Sequence, residues 1–139
     1  MAFIQTTSRP HRPIWPAMKR GMACKCPNCG EGRLYYKYLK VNETCPACGE
    51  ELHHHRADDA PPYLVIVIVG HLMIGVVVHM EMVFRIPAIQ YLMVVLPLTV
   101  LLSLWLLPIV KGAIVGLQWA NYMHGFDPDG ADDNPEEWK

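Results

Sequence analysis

Residues 63–84 read YLVIVIVGHLMIGVVVHMEMVF and residues 89–110 read IQYLMVVLPLTVLLSLWLLPIV, with only RIPA at 85–88 between them. A helix needs about 20 apolar residues to cross the hydrocarbon core of a bilayer, and each run is long enough. The short connection permits only a tight turn, so the two helices must run antiparallel. The sequence therefore predicts a membrane α-helical hairpin of two transmembrane helices, 63–84 and 89–110, with both chain ends on one side.

The distribution of basic residues predicts which side that is. Of the 12 Lys and Arg residues, only Arg85 lies in the turn, and the others precede the first helix or follow the second. Lys and Arg near membrane helices are retained in the cytoplasm during insertion, so both termini are expected to be cytoplasmic. No apolar secretory segment precedes the first helix, which is therefore expected to serve as its own insertion signal.

Four of the five cysteines form two CPxCG knuckles. Two such turns offer four thiolates to one tetrahedral zinc ion, and a reducing cytoplasm disfavours the rival interpretation as disulfides. We therefore expect a small cytoplasmic zinc ribbon over residues 21–55, with one structural Zn²⁺ ion bound by Cys26, Cys29, Cys45 and Cys48. Because protein fills all four coordination positions, the zinc is expected to stabilise the fold without catalysing a reaction.

Between the knuckles, RLYYKYLKV at 33–41 has the composition of a short β-hairpin. Leu34, Tyr36 and Tyr38 would share one face, and we expect them to form the core of a domain that has few other apolar residues. The interleaved Lys and Arg side chains suit anionic lipid headgroups. They also suit single-stranded nucleic acid, but the chain lacks the concentrated basic domain typical of nucleic-acid binders.

Four further segments complete the expected organisation. They are an N-terminal basic segment at 1–20, an interfacial linker and helix cap at 56–62, an interfacial helix extension at 111–126 and an acidic disordered tail at 127–139. Asp58 and Asp59 precede two prolines, and their carboxylates are expected to cap the first transmembrane helix.

Polar side chains inside the apolar runs need partners in hydrocarbon. His71 lies near the bilayer centre at the depth of Ser103, with Thr99 one turn away, which predicts an interhelical hydrogen bond from His71 to this pair. Contact of His71 with a larger membrane complex is the alternative. Glu81 and Arg85 are spaced i, i+4 and are expected to form an ion pair near the outer end of the first helix.

Three groups offer ligands for copper or redox chemistry: the spare thiol of Cys24, the adjacent histidines His53–His55, and His79 with Met82 on one helical face. Adjacent residues of an extended chain point in alternating directions, so the three histidines would not converge on one ion unaided. We favour the plainer interpretations, which are a free thiol, a polar linker that titrates near neutral pH, and lipid-exposed side chains.

Several motifs together resemble the domain of unknown function 983 family of proteobacterial membrane proteins over about residues 14–126: KRG at 19–21, CPNCGEGRLY, CPACGEEL, HHHRADDAPPYLVIVIVGH and KGAIVGLQWANYMHGF. That family has no assigned activity. Its members are often encoded beside cytochrome c oxidase subunits and their assembly factors, so the resemblance implies a role at a haem-copper oxidase or respiratory supercomplex of a bacterial inner membrane. Cys24 and the HMEM segment depart from the family pattern.

The sequence contains no nucleophile with a matching base, no phosphate-binding loop and no open metal site, so neither catalysis nor a small-molecule substrate is expected. A two-helix module has little room for a pocket but ample surface for docking. We therefore expect a non-catalytic inner-membrane accessory or assembly protein that docks on a respiratory oxidase or supercomplex. A copper or redox assembly factor is the alternative, and a membrane-tethered nucleic-acid binder is a third hypothesis.

Overall fold

The computed structural model describes residues 10–54, 60–123 and 125–126, which form three α-helices and a two-stranded antiparallel sheet. Along the chain the elements are α1 (Ile14–Met22), β1 (Tyr35–Lys37), β2 (Lys40–Val41), α2 (Ala60–Phe84) and α3 (Ala88–Ala120). Helices α2 and α3 are long and apolar enough to cross a membrane, as predicted. The predicted caps Asp58 and Asp59 and the predicted tail at 127–139 lie outside the described residues.

Helices α2 and α3 form a hairpin with a narrow apolar seam. Val65, Val69 and Met73 of α2 are buried against side chains of α3 that include Leu102 and Leu106. The four-residue spacing keeps the three α2 side chains on one face of the helix. Elsewhere the two helices expose apolar surface. In the most apolar 18-residue segment of each helix, only 17% of the residues of α2 and 0% of those of α3 are buried. A bilayer or a membrane partner would cover such a surface.

Helix α3 continues beyond the predicted transmembrane run, and a helix that the sequence analysis did not predict, α1, packs against this extension. An added methyl group at Gly112 would overlap the backbone carbonyl of Gly21, and one at Gly116 would overlap that of Ala17. Small residues allow two helix backbones to approach this closely. The predicted extension is thus helical as far as Ala120, but it is packed inside the protein.

Residues 23–54, here called the four-cysteine domain, fold around a core to which α3 contributes. Leu34 and Leu52 are fully buried beside two of the cysteines, and Val115 of α3 is fully buried in the same cluster. A domain of this size has too few residues to enclose an apolar core by itself. The end of α3 supplies the missing apolar surface.

The prediction that Tyr36 and Tyr38 share this core with Leu34 is wrong, because their side chains are 58% and 56% exposed. A β-bulge between Tyr35 and Lys37 interrupts the alternation of side chains along β1. Tyr35 packs against the core instead. The predicted β-hairpin itself is confirmed, with β1 and β2 paired antiparallel.

Candidate metal centre

The two CPxCG knuckles have the same backbone geometry. The Gly30 N–H donates to the Cys26 carbonyl oxygen at 2.9 Å, and the Gly49 N–H donates to the Cys45 carbonyl oxygen at 2.9 Å. Both glycines have positive φ angles, 74° and 75°, which glycine adopts without the steric cost of a Cβ atom. Each turn therefore holds its two thiols close together, and the second turn repeats the first.

The four sulfur atoms of the knuckles form one compact cluster. They lie within 4.8 Å of one another, and the Cys26–Cys48 and Cys29–Cys45 sulfur pairs are each 3.8 Å apart. A tetrahedral metal ion with metal–sulfur bonds of about 2.3 Å places its ligands about 3.8 Å apart, so the cluster fits such an ion. A disulfide needs a separation of about 2.05 Å, and these cysteines are free thiols. The predicted ligands thus form a site that could hold one metal ion.

The thiols differ in acidity because their surroundings differ. The backbone N–H groups of Gly32 and Glu31, each 3.5 Å from the Cys29 sulfur, lower the pKa of this thiol to about 6. Burial raises the pKa of Cys26 far above the ordinary thiol range and also raises the pKa of Cys48. Cys29 is therefore a thiolate at neutral pH and offers the first ligand to an incoming cation. Binding to the other thiols must release protons.

Glu50, which follows the second knuckle, connects the cluster to the rest of the protein. Its carboxylate accepts hydrogen bonds from Asn28 Nδ2 at 3.0 Å and from Trp119 Nε1 at 2.8 Å. Arg12 lies 3.6 Å from the same carboxylate, donates to the Trp119 carbonyl oxygen, and stacks on the rings of Trp119 and Tyr122. One carboxylate therefore joins both knuckles, the N-terminal segment and the end of α3.

Two tyrosines of the β-hairpin attach the four-cysteine domain to α3. Tyr35 donates to the Pro108 carbonyl oxygen at 2.9 Å, and Tyr38 donates to the Leu104 carbonyl oxygen at 2.6 Å. In a regular helix the carbonyl of residue 104 accepts from the N–H of residue 108, but a proline has no N–H. Tyr38 supplies the missing donor, so the hairpin satisfies a backbone acceptor that the proline leaves unpaired.

Two polar residues inside the long helices, His71 and Thr99, form local hydrogen bonds. His71 Nδ1 lies 2.7 Å from the Val67 carbonyl oxygen, and the Thr99 hydroxyl donates to the Val95 carbonyl oxygen at 2.6 Å. Among the described residues, His71 forms no hydrogen bond to Thr99 or Ser103, and both His71 and Thr99 bond instead to the backbone one turn back on their own helix. A carbonyl only accepts, so Nδ1 is the donor in this bond, and Nε2 is the ring nitrogen that could accept a hydrogen bond.

The predicted ion pair between Glu81 and Arg85 is also absent from the part of the chain that the structure describes. Arg85 has a positive φ angle of 44°, so the helix ends before it and the i, i+4 geometry is lost. Glu81 instead interacts with the hydroxyl group of Tyr91 near the start of α3. That hydroxyl also accepts a hydrogen bond from the Ile86 N–H at 3.4 Å.

Two members of the predicted His53–His55 group lie close together in the structure, beside Glu51. Glu51, His53 and His54 place their ligand atoms within 4.8 Å of one another, and His55 lies outside the described residues. The ring centroids of His53 and His54 are 3.9 Å apart. The expected alternation of adjacent side chains does not apply, because both residues lie in a turn rather than in an extended segment.

The other two groups are less favourable for metal chemistry. Cys24 is not part of the four-thiol cluster, and burial raises its pKa, which keeps it a weakly reactive thiol at neutral pH. His79 lines one groove of the hairpin, whereas Met82 lines another together with Glu81 and Arg85. This placement does not favour a shared copper ion.

Sequence reasoning missed the network around Glu50 and the bond from Tyr38 to α3. The available signal for the bond was Pro108, because a proline inside a predicted helix leaves one carbonyl without a donor. For the network, the signal was a polar residue beside each knuckle, Asn28 and Glu50, together with Trp119 at the end of an apolar helix. None of these signals identifies its partner, since the partners lie far apart in the chain.

Comparison with other proteins gives the chain a family. No curated protein and no solved structure matches it. The sequence profile described as "Protein of unknown function (DUF983)" matches residues 35–119. The matched region contains the β-hairpin, the second knuckle and both long helices, whereas Cys26 and Cys29 precede it. Because this match covers more than half of the chain, the protein belongs to the DUF983 family.

Proposed function

We propose that this protein is a non-catalytic accessory or assembly protein of a bacterial inner membrane that docks on a larger membrane complex. The observation that carries the proposal is the continuous helix α3. Its first part forms the hairpin with α2, and its last part completes the core of the four-cysteine domain through Val115. A partner held by the hairpin would therefore have the four-cysteine domain at a fixed position beside it.

We infer that the metal is one structural zinc ion. Four thiolates with tetrahedral spacing suit Zn²⁺, and a shell made entirely of protein leaves no open position for a substrate. Metal analysis of the purified protein is expected to give about one zinc per chain, and Cys26→Ser or Cys45→Ser should lose both the metal and the folded domain. Iron or copper in place of zinc would contradict this assignment.

We place the four-cysteine domain and both termini in the cytoplasm, on the argument from the basic residues. The reducing conditions there keep the four thiols available for a metal. Labelling of intact cells with a membrane-impermeant thiol reagent should leave every cysteine unmodified, since none lies in the turn between α2 and α3. Labelling of Cys48, the exposed ligand, in intact cells would contradict this orientation.

The exposed side of α2 is the proposed docking surface. His71, Gly75 and His79 lie at four-residue intervals along it, around a groove of about 330 Å³. His71 is near the middle of the 25-residue helix, and its Nε2 atom has no partner among the described residues. An unpaired imidazole is unfavourable in hydrocarbon, and a small residue beside it allows close approach. The occupant we propose is a partner's transmembrane helix that donates a hydrogen bond to this histidine.

The expected partner is a cytochrome c oxidase or respiratory supercomplex, which rests on the family resemblance alone. Purification of the tagged protein in mild detergent, followed by quantitative mass spectrometry, tests it. Gly75→Leu fills the groove, and Gly70→Leu is the matched control. Both glycines have open space where a Cβ would lie, so neither substitution is expected to disturb the hairpin.

Co-purifying oxidase subunits that are lost with Gly75→Leu and kept with Gly70→Leu would support the proposal. Equal recovery with both variants would refute the docking surface. Recovery of the protein alone, or with a membrane complex unrelated to respiration, would refute the partner. Recovery of RNA would favour the nucleic-acid hypothesis instead.

The cluster of Glu51, His53 and His54 supports a second candidate function, that of a copper or redox assembly factor. Imidazole nitrogen is a good copper ligand, and a site on the exposed surface could pass an ion to a partner. Stoichiometric copper in addition to zinc, lost on His53→Ala, would support this function. Copper binding that is unchanged in His53→Ala would refute it.

A further inference from the structure

We propose that the tip of the β-hairpin, residues 37–40, and the adjoining surface of α3 bind the phosphate headgroup of an anionic phospholipid. A shallow cavity of about 240 Å³ lies between them, lined by residues 35–39 and Pro108. This site is separate from the four-cysteine cluster and from the groove on α2. It is independent of whether the protein docks on a larger complex.

The position of the tip matches the expected level of the membrane surface. Tyr38 is bonded to Leu104, which lies 16 residues after Ala88 at the start of α3. At about 1.5 Å per residue this is about 24 Å along the helix, close to the thickness of a bilayer core. Trp105 of α3 and Tyr63 of α2 are exposed aromatic residues at the same end of the helical hairpin as Leu104. Exposed Trp and Tyr are typical of the layer where hydrocarbon meets headgroups.

The tip carries two positive charges that no acidic group of the described residues neutralises. Lys37 and Lys40 are directly opposed partners in the pairing of β1 with β2, and both are exposed. Neither forms an ion pair within the described part of the chain. Like charges facing each other across two strands destabilise the pairing. A phosphodiester near both ammonium groups would relieve this repulsion, because its negative charge would lie close to both lysines. The site lies beside the bilayer surface, where anionic headgroups are found.

The apolar side chains at the tip favour a lipid over a soluble phosphate. Tyr36 and Tyr38 are exposed beside the two lysines. Leu39 has a φ angle of 61°, a conformation that glycine adopts far more easily than leucine. A leucine at such a strained position is explained if its side chain makes a functional contact. At this level of the membrane, the upper part of an acyl chain is the apolar phase it would contact.

Native mass spectrometry of the full-length protein in detergent tests the site. The protein is titrated with phosphatidylglycerol or with phosphatidylcholine of the same acyl chains, and bound lipids are counted. The test variant is Lys37→Gln/Lys40→Gln. The control is Lys25→Gln/Arg33→Gln, which removes the same charge from a pair of residues that face each other in an isolated antiparallel bridge outside strands β1 and β2.

Each lysine near a membrane surface contributes about fivefold to the binding of anionic lipid, so the test variant should bind phosphatidylglycerol roughly thirtyfold more weakly. Its binding of phosphatidylcholine should not change, and its thermal stability should be equal or higher because the opposed charges are gone. The control should retain phosphatidylglycerol.

An equal loss in the control variant would show a general effect of charge and overturn the site. Equal affinity of the natural protein for both lipids would overturn the preference for an anionic headgroup. Displacement of the lipid by millimolar inorganic phosphate would assign the site to soluble phosphate. Displacement by a short single-stranded RNA would assign the two lysines to nucleic acid.

Discussion

The Tyr38→Phe substitution removes the hydroxyl group that donates to the Leu104 carbonyl oxygen at 2.6 Å. Because residue 108 is a proline, no helical N–H is available to replace it. The aromatic ring remains, so the position of the β-hairpin beside α3 should not change. The substitution therefore isolates the contribution of a single hydrogen bond between the four-cysteine domain and the long helix.

The expected cost follows from the surroundings of the carbonyl. A polar group left unpaired away from water costs about 1–3 kcal/mol, whereas an ordinary hydrogen bond contributes about 0.5–1.5 kcal/mol. Tyr38 is 56% exposed. Water reaches part of the bond, so we expect a loss of about 1–2 kcal/mol in the free energy of unfolding. Tyr36→Phe is the matched control, because the Tyr36 hydroxyl forms no hydrogen bond among the described residues, and its cost should be below about 0.5 kcal/mol.

A second substitution, Pro108→Ala, tests the reason for the effect. The alanine restores the N–H that bonds to the Leu104 carbonyl in a regular helix. In this background Tyr38→Phe should cost about 0.5 kcal/mol or less, which corresponds to a coupling energy of about 1 kcal/mol between positions 38 and 108. Unfolding in mixed dodecylmaltoside and SDS micelles, followed by tryptophan fluorescence, gives the free energy of unfolding of the natural protein, of the two single variants and of the double variant. An equal cost of Tyr38→Phe in both backgrounds would refute the argument.

Three further predictions concern the helix contact, the thiols and the network around the cluster. Gly112→Ala places a methyl group on the Gly21 carbonyl and should lower the free energy of unfolding by about 3 kcal/mol or more, whereas Gly75→Ala, in open space, should raise it by up to about 1 kcal/mol. In metal-free protein at pH 7, iodoacetamide should modify Cys29 before the thiols whose pKa burial raises. Below pH 6 the rate of Cys29 modification should fall about tenfold per pH unit, since the pKa of this thiol is about 6. Slow modification of Cys29 would contradict its role as first ligand. Glu50→Gln removes an acceptor from Trp119 or Asn28 and should lower the free energy of unfolding by about 1–3 kcal/mol without changing the metal content. Glu51→Gln, at an exposed position, should change the free energy of unfolding little. Equal melting temperatures for the two variants would contradict the network.

The features that the sequence predicted are those fixed by short spacings. The cysteine pairs and their glycines encode two local turns, and these need no information from the rest of the chain. The two apolar runs likewise determine two long helices, and the short connection between them determines a hairpin. Each conclusion depends on residues within about one helix length of each other, where length and periodicity are reliable guides.

The errors arise where distant segments compete with local patterns. Alternation along a strand placed Tyr36 in the core, but Val115, about eighty residues later, fills that space and a bulge shifts the strand. The bond predicted for His71 across the hairpin was replaced by one to its own helix. The contact of Gly21 with Gly112 has no local signature, because a small residue shows that close approach is possible but not which helix approaches.

The placement of Val115 in the core of the four-cysteine domain also bears on biogenesis. The ribosome synthesises the four cysteines long before it reaches this valine, so the core of the domain lacks one of its buried side chains until α3 has been made. The four-cysteine domain therefore cannot complete its apolar core during its own synthesis, because the core closes only when the last helix packs against it. A chain in which α3 has not yet packed against the domain would leave Leu34 and Leu52 without this contact, and we expect the domain of such a chain to be open and sensitive to proteases.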